Sequence, residues 1–251
     1  MHSYQLSICT GTIARALAAC IALLLCASML GQLCRYGLGD ASVYGLVPLF
    51  DVDGERNIPT FFTVLIALCN ALLLAVIAAG AGKHAHSDRP YWLALCAGFL
   101  LLAYDEGFQL HERLTAPMRE LLGSEAHGYL YFGWVVPGII GVCILALCFL
   151  KFLLRLPAAT RKAMLVAGGL YLGGCLGMEL ISGNYLETHG YTLGYSFLTV
   201  IEEGLEMAGL AVLMCTLLAH IAASSDRVEF RLSTKATVVA AGAALTPADG
   251  A

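Results

Sequence analysis

L-T-V-I-E-E-G-L-E-M-A-G-L-A-V-L-M-C-T-L-L-A-H-I, residues 198–221, is apolar along nearly its whole length yet carries Glu202, Glu203 and Glu206. At about 1.5 Å of rise per residue a helix of this length covers the roughly 30 Å of hydrocarbon in a bilayer. The stretch therefore reads as a membrane-spanning helix. Each acid near the bilayer centre costs on the order of 2.5–3.5 kcal/mol on insertion scales, so three in one span need a compensating role.

The rest of the chain has the same character. Its 251 residues are 59% apolar and 13% charged, with a mean hydropathy of +0.78. These values lie far from those of soluble domains. Apolar stretches long enough to span occur near 13–35, 59–81, 91–112, 130–154, 162–182 and 195–222. The expected fold is all-α: a polytopic bundle of about six transmembrane helices over residues 1–223. Residues 224–251 turn polar and then Ala/Gly-rich without an amphipathic period, which reads as a disordered cytoplasmic tail. Arg15 precedes the first apolar core as in a signal peptide, but the core is long and no A-x-A site follows, so a retained helix is expected.

In a six-span arrangement ten of the 14 Lys and Arg residues fall on the face that holds both termini, Lys83, Lys151, Arg155, Arg161 and Lys162 among them. The positive-inside rule places that face, and both termini, in the cytoplasm of a cell whose inner (plasma) membrane holds the chain.

Seven carboxylates then fall at one level, in the outer half of the membrane. Asp105, Glu106 and Glu112 close the third span, Glu179 ends the fifth, and Glu202, Glu203 and Glu206 begin the sixth. At about 100° per residue Asp105, Gln109 and Glu112 share one helical stripe, as do Glu202 and Glu206. The expected metal ligands are therefore Asp105, Glu112, Glu179, Glu202 and Glu206. Glu106, His111 and Glu203 point elsewhere on a straight helix and are the candidates for catalytic proton handling. Lys and Arg occur only at the edges of these three spans, as Lys162 and Arg113, so balance falls to bound metal, retained protons or both. A carboxylate-rich set with one imidazole suits iron or manganese, with zinc the softer alternative. Acting in the opposite direction, protonated carboxyls can simply bind helices together through hydrogen bonds.

Other motifs are weaker. F-D-V-D-G-E-R-N-I-P-T at 50–60 sets Asp51, Asp53 and Glu55 beside Gly54 and Pro59. It opens like a calcium loop but lacks the late bidentate Glu, and it reads better as a turn into a helix start, placed to cover the membrane site. Gly169, Gly173 and Gly177 form a small-residue stripe for close helix packing. The ten cysteines lack any C-x-x-C and read as small buried hydrophobes, and His84 and His86 as a solvated loop pair. A net charge of −4 with no basic stripe excludes nucleic acid as a partner and leaves membrane lipids.

The ordered set F-D-x-D-x-E-x-N-I-P-T, D-E-x4-H-E and E-E-x2-E-M-x-G, spread over residues 50–209, resembles a group of uncharacterised bacterial integral membrane proteins. Ala103 and Tyr104 stand where those relatives carry Ser-Leu before the D-E pair. The resemblance implies that Asp105, Glu106, His111, Glu112, Glu179, Glu202, Glu203 and Glu206 act as one set. The functional expectation is a metal-dependent membrane enzyme working on a lipid or other apolar substrate. A cation- or proton-coupled transporter and a structural or accessory membrane subunit are the alternatives.

Overall fold

A computed structural model describes residues 9–81, 88–123 and 126–224; Lys83, the His84/His86 pair and the tail beyond 224 lie outside them. The described residues are helical, with no strand among them. In chain order the helices are α1 (Thr10–Leu33), the short α2 (Leu46–Phe50), α3 (Ile58–Gly80), α4 (Arg89–Phe108), α5 (Leu110–Leu122), α6 (Val135–Arg155), α7 (Ala158–Leu172), α8 (Glu179–His189) and α9 (Leu193–Ser224). Two π turns interrupt the regular helices, Cys34–Leu38 after α1 and Gly173–Met178 between α7 and α8.

Among the described residues five helical stretches are long and apolar enough to cross a membrane, and α4 with α5 makes a sixth if that bent pair counts as one span. Their outward faces carry the large apolar side chains, with Leu23, Leu147 and Phe61 all more than 60% exposed. A soluble fold would bury such a belt, whereas hydrocarbon solvates it. Cys20, Cys26, Cys143 and Cys148 lie on those outward faces too, so the cysteines are unbridged but not uniformly buried.

α9 is the axis of the bundle. It packs on α1, α3 and α7, while α3 pairs closely with α4. Since lipid is as apolar as leucine, these contacts rest on close packing and hydrogen bonds more than on burial from water. Asn70 of α3 is fully buried and donates from Nδ2 to the Leu210 carbonyl of α9 at 3.0 Å. The crossing of α7 with α9 is tighter still. A Cβ on Gly209 would lie 2.7 Å from the Tyr171 nitrogen, and one on Gly174 would lie 2.7 Å from the Glu202 carbonyl oxygen.

This crossing corrects the expected glycine stripe. Gly169 and Gly173 face open space, and Gly177 meets only its own helix. Ala167, Tyr171 and Gly174, at i, i+4 and i+7, form the face that meets α9, and Gly169 and Gly173 lie off that face.

The third span departs from expectation as well. α4 ends at Phe108, Gln109 adopts a left-handed φ of 54°, and α5 leaves at 78°. α5 carries Glu112, Arg113, Arg119 and Glu120 within 13 residues, too polar a run to continue through hydrocarbon. It has one apolar side with Leu114 and Leu121 exposed, the form of a helix lying along a membrane surface. Asp105, Gln109 and Glu112 therefore share no straight stripe.

At the same end of the bundle, the 51–57 loop is pinned by Asn57. This buried residue caps α3 by accepting from the Thr60 nitrogen at 3.1 Å, and its Nδ2 donates to the Asp51 and Gly54 carbonyls at 2.6 and 2.8 Å. Pro59 in the first turn of α3 completes the expected helix start.

Candidate functional site

Three local devices bring the acids together. In the first, the Asp105 carboxylate reaches past the break in α4, accepting from the His111 backbone nitrogen at 2.9 Å and pairing with His111 Nδ1 at 2.8 Å. It caps the start of α5 and fixes its own imidazole partner in one interaction, as N-terminal caps do elsewhere. In the second, the π turn aims Glu179 at the residue preceding α6, Trp134, whose Nε1 donates to it at 2.9 Å. In the third, the Gly174 contact presses this turn against the Glu202–Glu206 turn of α9.

The acids are consequently linked by neutral donors. Ser182 donates to Glu202 at 3.0 Å, and the Tyr171 side chain lines the same cavity. The His111 ring leans on Trp134 with centroids 4.7 Å apart.

These groups border one cavity of about 860 Å³. The loop contributes Asp53 and Glu55, α4 contributes Asp105 and Glu106, α5 contributes His111 and Glu112, α8 contributes Glu179, and α9 contributes Glu202, Glu203 and Glu206. None of the described residues that line it is Lys or Arg. Towards the other end of the bundle the walls become apolar, through Phe99 and Leu102 of α4, Val142, Leu145 and Phe149 of α6, and Met164 of α7.

All eight residues named from the sequence therefore reach a single cavity. Glu106, His111 and Glu203 border it alongside the five expected ligands, contrary to the phase argument. For His111 the reason is the break at Gln109; for Glu203 it is that the cavity is wide enough to meet neighbouring residues about 100° apart on α9. As the side chains stand, no three His, Cys, Asp or Glu among the described residues converge so as to hold a metal ion. Their oxygens point instead at the Trp, Ser, Tyr and His donors.

Sequence reasoning assigned no role to Trp134, Tyr171, Ser182 or Tyr195. Nothing in their spacing marks them, since each reaches the site only through tertiary packing. Asp53 and Glu55 carried a signal, the acidic loop beside a helix start.

Tyr195 donates to Asp53 Oδ1 at 3.1 Å, tying that loop to α9. Asp53 opens onto the cavity but is enclosed by surrounding protein. That enclosure first, and then the Asp51 charge with smaller contributions from Glu112 and Glu179, pushes its carboxyl up to about 6, against the lowering effect of Tyr195. The unfolded chain releases this proton near pH 4, so the folded chain holds the extra proton in the window between. Stability should fall as pH rises across roughly 4 to 6. Asp53→Asn should flatten this fall, as read by unfolding midpoints in detergent over that range. An unchanged slope would show that Asp53 does not take up the proton.

The fold and the site together define a helical, multi-pass membrane protein with a carboxylate-lined cavity at one end of its bundle. A family model described as a domain of unknown function (DUF8692) matches residues 14–221, and the chain belongs to that family. No curated protein and no solved structure matches it.

Proposed function

We propose that the chain is a protein of a bacterial inner membrane, with both termini cytoplasmic and the acidic cavity in the outer half of the bilayer. There it acts as a metal-dependent enzyme on a lipid or other apolar substrate. The observation that carries this reading is the continuity of the cavity, in which nine carboxyl groups and His111 open onto an apolar chamber with no Lys or Arg among the described lining residues. Asp105, Glu112, Glu179, Glu202 and Glu206 are the donors for iron, manganese or zinc, a hard or borderline ion matched to carboxylate oxygen. Binding requires these side chains to turn away from their present neutral donors. His111, Glu106 and Glu203 are placed to hold or move protons, with Asp105 fixing the imidazole.

One observation favours a second reading, a cation- or proton-coupled transporter. Nine carboxyls stand together on one membrane cavity with no Lys or Arg among its described lining residues, and acids so placed serve as relays. Proteoliposomes separate the two readings. The enzyme reading expects tightly retained metal and no flux. Flux driven by a pH or cation gradient, with little retained metal, would overturn it in favour of transport.

A further inference from the structure

The apolar part of the cavity is shaped to be entered from the side. α4 and α6 do not pack along their lengths. They meet at the end remote from the acids, where Tyr91 stacks on Phe152 at 5.0 Å and Trp92 meets the same ring edge-on at 4.9 Å. Between that aromatic plug and the carboxylates, Ala94 and Gly98 of α4 and Leu145 and Ala146 of α6 line the cavity and are at the same time exposed. They form the lips of a slot facing the surrounding hydrocarbon.

From Ala94 to Glu106 the slot runs about 18 Å at helical rise, close to the roughly 15 Å of hydrocarbon in one leaflet. Protein interiors are packed to crystal density and tolerate few voids larger than a water molecule. An apolar slot of this length, open to lipid, fills with a chain.

We propose that the slot holds one hydrocarbon chain of a membrane lipid with an ammonium head group. The chain lies between α4 and α6 with its end against Phe152, and the ammonium sits among the carboxylates. Charge selects the head group: the described lining residues include nine carboxyls and no Lys or Arg, so an ammonium is attracted there, whereas a purely anionic head group is repelled. The inference rests on the proposal that this cavity accepts an apolar substrate, and it names the class.

The test uses full-length protein in vesicles of phosphatidylethanolamine and phosphatidylglycerol. A trace of either lipid carries a photoactivatable group near the end of one chain. Labelling from the ethanolamine lipid should map to Phe99, Val142, Leu145 and Met164, and exceed labelling from the glycerol lipid at the same positions. Gly98→Phe, which fills the slot, should lower that labelling about tenfold by removing the apolar volume the chain occupies. Leu147→Phe, on an outward face, should leave it unchanged and serves as the control for insertion of a bulky ring. Equal labelling by the two lipids, labelling confined to outward residues such as Leu147, or labelling indifferent to Gly98→Phe in protein that elutes as the wild type would each overturn the proposal. Metal content read on the same samples keeps the two claims apart. Lost slot labelling with metal retained sinks the lipid inference alone, and labelling without metal sinks the metal reading alone.

Discussion

Gly209→Leu should cost the bundle more stability than any other single change at the α7–α9 crossing, and Gly174→Ala should follow it. The atoms in the way are backbone: the Tyr171 nitrogen and Ala167 carbonyl oxygen at Gly209, and the Glu202 carbonyl oxygen at Gly174. Backbone cannot rotate aside, so α7 and α9 must separate. Overpacking of this kind costs about 1–3 kcal/mol, with the branched leucine at the upper end or beyond. Because Gly174 also presses on the Glu206 side chain, the separation moves Glu179 away from Glu202 and Glu206. Unfolding midpoints in detergent give the readout. Gly169→Ala is the internal control, since nothing lies within 4 Å of a Cβ placed there. It should be neutral or slightly stabilising, as alanine for glycine in a helix gains roughly 0.5–1 kcal/mol. Equal losses at Gly169 and Gly209 would contradict this crossing of the two helices.

The second large effect is expected at the elbow between α4 and α5. Asp105→Ala removes both the acceptor for the His111 nitrogen and the partner of its ring. A hydrogen bond to a charged group contributes about 1.5–3 kcal/mol, so the first turn of α5 should open more readily and His111 should lose its orientation. Hydrogen exchange at the amides of residues 110–115 should quicken in Asp105→Ala. His111→Ala, which keeps the backbone bond to Asp105, should have a smaller effect at the same amides. Unchanged exchange in Asp105→Ala would show that the elbow is held by something other than this carboxylate.

These two sites also show what sequence could and could not reveal. Apolar length and the acids within it were enough to read a helical bundle of about six spans, and the three acidic segments do share one cavity. What failed was the assumption of a straight, regular helix. Gln109 in a left-handed conformation breaks the third span, and the π turn at Gly173–Met178 shifts the fifth. Both places carry polar or glycine-rich sequence, G-F-Q and G-G-C-L-G-M, at the edge of an acidic motif. Periodicity cannot register a one-residue change of phase. Trp134, Tyr171, Ser182 and Tyr195 were illegible for a different reason. Their hydrogen bonds to acids lie 45, 20 and 142 residues away for Trp134, Ser182 and Tyr195, so only the packed bundle brings them together.

The central claim is that the acids of four helices and one loop form a single cation-accepting site. Elemental mass spectrometry on detergent-purified protein tests it most directly, comparing the wild type with a Glu202→Gln, Glu206→Gln double variant. Both residues are buried on α9, and the amide substitution keeps their size and leaves position 202 an acceptor for Ser182. The account predicts stoichiometric iron, manganese or zinc in the wild type and its loss in a variant that remains folded. No metal in either protein after incubation with each ion, or the same metal content in both, would contradict it.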